Sequence, residues 1–215
     1  MSGAREGILN RSRIAPAQSA DTRLDAYRRI SRRYITAGDQ GVAARLELFT
    51  QRLHDYEAMV YRCQEHEISS TVAQALKSRG KRGLLIPPGI ERAWLPDQFV
   101  FLPDETFTYE QLDQSQGVLT ACAVAIAVTG TIILQHTAGA GRRALTLIPD
   151  YHLCIVFANQ IAETVPEGFR QLEHVANSPL TMISGPSATS DIEMTRVKGV
   201  HGPRVLDVIV VAENG

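Results

Sequence analysis

Between residues 122 and 211 the chain runs apolar without alternation several times: CAVAIAVTGTIIL, ALTLIP, YHLCIVFANQIA and VLDVIVV. A strand with one wet face alternates apolar and polar residues, so runs apolar on both faces belong to a sheet covered on both sides. Upstream, AMVYRC (58–63), ISSTVAQALKSRG (68–80) and RGLLIPP (82–88) read as strand, helix and strand. So short an alternation implies a βαβ unit with parallel strands and a right-handed crossover. The implied fold class is α/β: a three-layer, mostly parallel sheet domain, preceded by an N-terminal helical arm.

The remaining elements are marked by local signals. Leu24, Tyr27, Ile30 and Tyr34 recur at helical spacing behind a cap at Asp21 or Thr22, and Gly38-Asp39-Gln40-Gly41 breaks that helix. Val42, Leu46, Phe49 and Leu53 form the stripe of a second helix. FVFLP (99–103) is a short strand, Thr108 caps a brief helix over YEQLDQS, and PEGFRQLEHVA (166–176) is a helix with Pro at its start. LTMIS and VLDVIVV supply the last strands.

At 215 residues the chain suits one such domain with an appended segment. Residues 1–36 hold eight Arg and no Lys against Glu6, Asp21 and Asp25, while the remainder carries 14 basic and 20 acidic residues. The expected division is a basic arm over 1–36, disordered at first and then helical, and an α/β domain over 37–215. A basic arm on an acidic body can meet nucleic acid, but no aromatic interleaving or nucleic-acid motif supports that partner. Cys63, Cys122 and Cys154 are too sparse for a disulfide framework and fit a reducing compartment. MSGAREGILNRSR lacks the apolar core of a secretory signal, and ACAVAIAVTGTIIL is too short to span a bilayer, so the expected location is cytoplasmic.

Familiar catalytic signatures are missing: no G-x-G-x-x-G after a strand, no phosphate loop, no H-E-x-x-H and no G-x-S-x-G. The six histidines do not pair at ligand spacing, so no metal or cluster of the chain's own is expected. The informative stretch is SGPSATSDIE (184–193). Gly185-Pro186 ends a strand. Ser190 and Glu193 have capping-box spacing, which predicts a two-turn helix from Asp191 to Lys198. Ser184, Ser187, Thr189 and the helix-start N–H groups could hold an anion at the C-terminal end of a strand, where ligands collect in open α/β sheets. Asp191 and Glu193 oppose that reading and favour a structural cap.

Other candidates are fewer. Thr129-Gly130-Thr131 interrupts an apolar strand, as a kink, a bulge or a close backbone approach to a ligand. GAGRR (139–143) is a hairpin turn with two solvated arginines, or places Arg142 and Arg143 on a carboxylate or phosphate. Asp150 and His152 flank a turn, and His201 precedes Gly202-Pro203 as a turn residue or an acid–base group.

Taken together, SGPSATSDIEMTRVKGVHGPRVLDVIVV, AIAVTGTIIL and GRRALTLIPDYHLCIV resemble the signature segments of LUD-domain proteins of the lactate-utilisation protein C type. The resemblance covers roughly residues 40–211. It implies a fold like that of the NagB/RpiA/CoA-transferase superfamily and a role beside iron–sulfur oxidoreductase partners that convert L-lactate to pyruvate. On that reading the clusters sit in the partners, and this chain carries no cofactor of its own. Related folds bind sugar phosphates, coenzyme A or folates, so a stand-alone enzyme acting on an acyl-CoA, sugar phosphate or folate is the alternative. Thr129, Gly130, Thr131, Ser184, Gly185, Pro186 and Ser187 map to the implied pocket. The family's usual Ala-Glu-Thr-Gly-Thr reads Ala127-Val128-Thr129-Gly130-Thr131 here, and Val128 can neither hold a ligand by charge nor move a proton.

Overall fold

The computed structural model describes residues 6, 9, 20–31, 33–105, 107–137, 139–173, 178–189, 197–198 and 202–212. The chain divides into two compact units, residues 1–34 and 35–215. Helix α1 (Ala20–Arg29) lies in the first and begins just ahead of the expected cap. All other elements belong to the second.

Helix α2 (Val42–Asp55) buries Phe49, Thr50 and Leu53, two of them from the predicted stripe. Strand β1 (Met59–Gln64), helix α3 (Ile68–Ser78) and strand β2 (Gly83–Ile86) come next, as the sequence predicts. They are succeeded by β3 (Val100–Pro103), α4 (Tyr109–Asp113) and β4 (Val118–Ala121). Thr108 does cap α4, its hydroxyl accepting from the Gln111 N–H. The chain continues through β5 (Val124–Ile126), β6 (Thr131–Gln135), β7 (Tyr151–Phe157), β8 (Ile161–Ala162) and α5 (Val165–Gln171). It ends with β9 (Leu180–Ile183), β10 (Ala188–Thr189), β11 (Val197–Lys198) and β12 (Val205–Ala212).

Six strands form an all-parallel sheet in the order β1-β12-β7-β4-β2-β3. The fold is therefore α/β around a mostly parallel central sheet. The predicted βαβ unit is present in direction but not in adjacency: β12, β7 and β4 stand between β1 and β2. Burial explains the insertion. Residues 206–211 of β12 are all buried, whereas edge residues Met59 and Val100 are exposed, so the most apolar strand takes an interior position.

Each face of this sheet has its own cover. On one, Ile155, Ile209 and Val211 pack with Ile68, Val72 and Leu76 of α3 and with Trp94 and Leu95. On the other, Cys154, Val156, Val208 and Val210 meet Phe49 and Leu53 of α2 and the second sheet, through Ala125, Ile132 and Leu134. That second sheet has the order β8-β5-β6-β9, with β5 antiparallel to β6 and β6 antiparallel to β9. One outer layer is thus largely a sheet. The run CAVAIAVTGTIIL is accordingly a hairpin rather than one interrupted strand, and ALTLIP is not a strand. Arg143–Thr146 form a single 3-10 turn that buries Leu145 against Leu85, Leu112 and Val118.

A buried polar cluster pins α3 to the sheet. Asp207 of β12 is fully buried, and its carboxylate accepts two hydrogen bonds from the Arg79 guanidinium at 2.9 and 2.6 Å. The Tyr151 hydroxyl donates to the same carboxylate at 3.0 Å, and burial with that charge nearby raises the phenol well above its usual range. Asp207 faces the α3 side, while its neighbour Leu206 faces the second sheet.

Candidate functional site

The hairpin turn between β5 and β6 explains Gly130. Its φ is +59° and its N–H donates to the Ala127 carbonyl at 3.2 Å. A Cβ there would stand 2.7 Å from Cβ of Arg52, so what approaches Gly130 is helix α2, not a ligand. Thr129 and Thr131 share a hydrogen bond at 2.7 Å, and Thr131 reaches Ser184 at 2.9 Å. Pairing of Ile132 with Ile183 in the β6–β9 ladder sets these hydroxyls side by side. The two loops singled out in the sequence therefore meet, and the Ser184 side opens into a cavity.

That cavity holds about 280 Å³. One wall is the end of β9 with the loop beyond it: Thr181, Met182, Ile183, Ser184, Gly185, Pro186, Ser187 and Ala188. The opposite wall combines Arg143 and Thr146 with His152, Gly202, Pro203 and Leu206. His152 and Leu206 are the second residues of β7 and β12, so the cavity lies at the N-terminal rim of the parallel sheet. The SGPS loop does follow the C-terminal end of its own strand, β9, but β9 belongs to the second sheet, so the cavity is not at the C-terminal edge of the parallel one. The physical reason is the second sheet, whose strand β9 runs up to this rim and supplies the SGPS loop.

The loop itself is fixed by packing. Gly185 has φ +82° and is pressed against Tyr56, where any Cβ would collide with the Tyr56 side chain. The Ser187 N–H donates to the Pro203 carbonyl at 2.8 Å, closing the cavity's two walls. Beyond it, Ala188 and Thr189 pair antiparallel with Lys198 and Val197. The predicted helix therefore does not reach Lys198: Val197 and Lys198 are extended strand. Ser190, Asp191, Glu193 and His201 lie outside the described residues.

The two arginines of GAGRR separate. Arg142 makes a bidentate pair with Asp104, at 2.7 and 2.9 Å, and also donates to the Phe107 carbonyl. It serves the fold, since the Asp104 side chain is only 3% exposed. Arg143 lines the cavity and, among the described residues, has no carboxylate partner and one side-chain bond, to Thr146 at 3.4 Å.

His152 is 1% exposed, and its Nε2 shares a 2.7 Å hydrogen bond with the Thr120 hydroxyl. Burial first, and Arg143 second, push its pKa down to about 4, so the ring is neutral at pH 7. Asp150, the other half of the Asp-x-His pair, turns outward to Arg204. Behind Thr181 stands His136, which sequence reasoning missed. Its Nδ1 meets the Gly141 carbonyl at 2.9 Å and its Nε2 meets Thr181 Oγ1 at 2.6 Å. No local pattern marks His136, because the contact exists only once β6 pairs with β9.

The geometry can hold an anion. One guanidinium, several hydroxyls and a neutral imidazole form a polar hollow at the rim of an apolar sandwich. Among the described residues no group of three or more His, Cys, Asp or Glu is placed to bind a metal ion, and no helix is long and apolar enough to cross a membrane. Fold and site thus define an α/β protein with a small polar cavity at one rim of its central sheet.

The chain belongs to the LUD-domain family, whose model matches residues 46–211. It is 49% identical over 172 residues to a protein named Lactate utilization protein C from Deinococcus radiodurans, covering 77% of this chain and 79% of that one. A protein of the same name from Shouchella clausii is 31% identical, over 50% of this chain and 49% of its own. The crystal structure of a DUF162 family protein from Deinococcus radiodurans superposes with a TM-score of 0.71 at 41% identity, covering 80% of this chain and 99% of that one.

Proposed function

We propose that this chain is a subunit supporting the oxidation of L-lactate to pyruvate beside iron–sulfur oxidoreductase partners, and that it contributes a binding pocket for a small organic anion. The lactate part is supported by the name that its relatives share. The pocket part is carried by Arg143, a cation on a hydroxyl-lined cavity with no carboxylate partner among the described residues. A guanidinium in that setting recovers the solvation it has lost by pairing with a ligand's acid group. One such cation suits a single acid group better than the several phosphates of an acyl-CoA. On this reading the partners carry the electrons and this chain holds or senses a small acid.

Affinity purification of the tagged chain from its native cells tests the proposal. The expected result is co-purification of an iron–sulfur oxidoreductase, together with slow growth of a deletion strain on L-lactate. Restoration by the wild-type chain but not by Arg143→Gln is expected as well. Normal growth of the deletion strain on L-lactate, with no such partner recovered, overturns it.

A further inference from the structure

Hydrogen-bond polarity in the cavity carries the reading further. The Gly141 carbonyl can only accept, so His136 donates to it from Nδ1–H, the tautomer this contact selects. Its Nε2 then carries a lone pair, and the hydroxyl of Thr181 must donate to it across 2.6 Å. Thr181 has one hydroxyl proton, and this contact uses it. What Thr181 offers the cavity is therefore an acceptor. Thr146 is committed in the same sense, since its hydroxyl donates to the Arg143 carbonyl at 3.3 Å. Opposite these acceptors stands Arg143, a pure donor with a positive charge.

We infer that the cavity is built for a small hydroxycarboxylate, with the acid group on Arg143 and the ligand's hydroxyl donating to Thr181, which His136 holds in the accepting orientation. This rests on the anion-pocket reading and narrows it. A 2-oxo acid has no proton for Thr181, and its carbonyl would meet lone pair against lone pair. A hydroxy acid supplies the missing donor. His136 is a positioning residue here, acting through Thr181.

Calorimetric titration of the full chain with L-lactate, pyruvate and inorganic phosphate tests this. L-lactate is expected to bind about 10-fold tighter than pyruvate, one neutral hydrogen bond being worth roughly 3- to 10-fold in affinity. Thr181→Val should weaken L-lactate by that factor and leave pyruvate unchanged, while Thr181→Ser keeps the preference. His136→Phe frees the Thr181 proton, so the preference should fall because pyruvate gains, which simple loosening of the fold would not produce. Arg143→Gln should abolish both carboxylates. Pyruvate binding as tightly as L-lactate overturns the hydroxy-acid inference and leaves the anion pocket standing, as does binding of phosphate alone. No binding of any of the three to a chain folded by circular dichroism overturns both.

Discussion

Between pH 6.5 and 4, acidification should destabilise this protein through His152. Its folded pKa of about 4 lies below the ordinary 6.5 of an unfolded chain. Between those values the unfolded state binds a proton that the folded state refuses, so stability rises with pH across that window. The contribution is complete above pH 6.5 and is lost as pH falls toward 4. The full shift corresponds to about 3 kcal/mol, and the loss at pH 5 relative to pH 8 works out to about 2 kcal/mol. The side chain is almost wholly out of solvent, so screening does not erode that figure. Urea unfolding followed by circular dichroism at pH 5, 6, 7 and 8 measures it. His152→Gln, which keeps a polar group toward Thr120, should flatten the profile between pH 5 and 7. An NMR titration gives the direct reading, with the ring's midpoint near 4. A midpoint near 6.5, or equal slopes for wild type and variant, would refute the burial argument.

Other perturbations have definite expected outcomes. Arg79→Ala strands the fully buried Asp207 carboxylate with only the Tyr151 hydroxyl and should cost about 3 kcal/mol in chemical unfolding. That is the low end for a broken buried pair, because Arg79 is itself one-third exposed. Arg142→Ala leaves the Asp104 side chain unpaired, and a loss of about 1–2 kcal/mol by thermal melting is expected, with anion binding at the cavity retained. Gly185→Ala demands both a left-handed alanine and room taken by Tyr56, which should cost about 2 kcal/mol and lower L-lactate affinity as the SGPS loop shifts.

Much of this architecture is written locally. Helical spacing located α2 and α3, the Thr108 cap located α4, and the doubly apolar runs announced a sheet buried on both faces. What the sequence withheld is long-range. CAVAIAVTGTIIL reads as one interrupted strand, and its reversal at Gly130 shows only in the antiparallel pairing of β5 with β6. ALTLIP is apolar enough for a strand, yet Leu145 finds its cluster from a 3-10 turn. In the site, the SGPS loop and Arg143 were visible as residue types crowded against glycines. Arg142 looked identical to Arg143, and only Asp104, 38 residues away in sequence, separates their roles. His136 and Thr181 lie 45 residues apart and carry no shared signature, because the β6–β9 ladder alone joins them.

The seat of β12 between β1 and β7 bears on how the molecule comes into being. Strand β1 leaves the ribosome first, but each of its residues pairs with one made 148 positions later, as Met59 does with Asp207. Until residue 212 has emerged, β1 and the α2–α3 segment around it have no sheet edge to join, so a chain stopped short of Val205 would present β1 as an unmated ribbon. Pairing of β12 therefore inserts a late-made strand between β1 and β7, and the unmated edges of both are open to aggregation or to chaperones until it arrives.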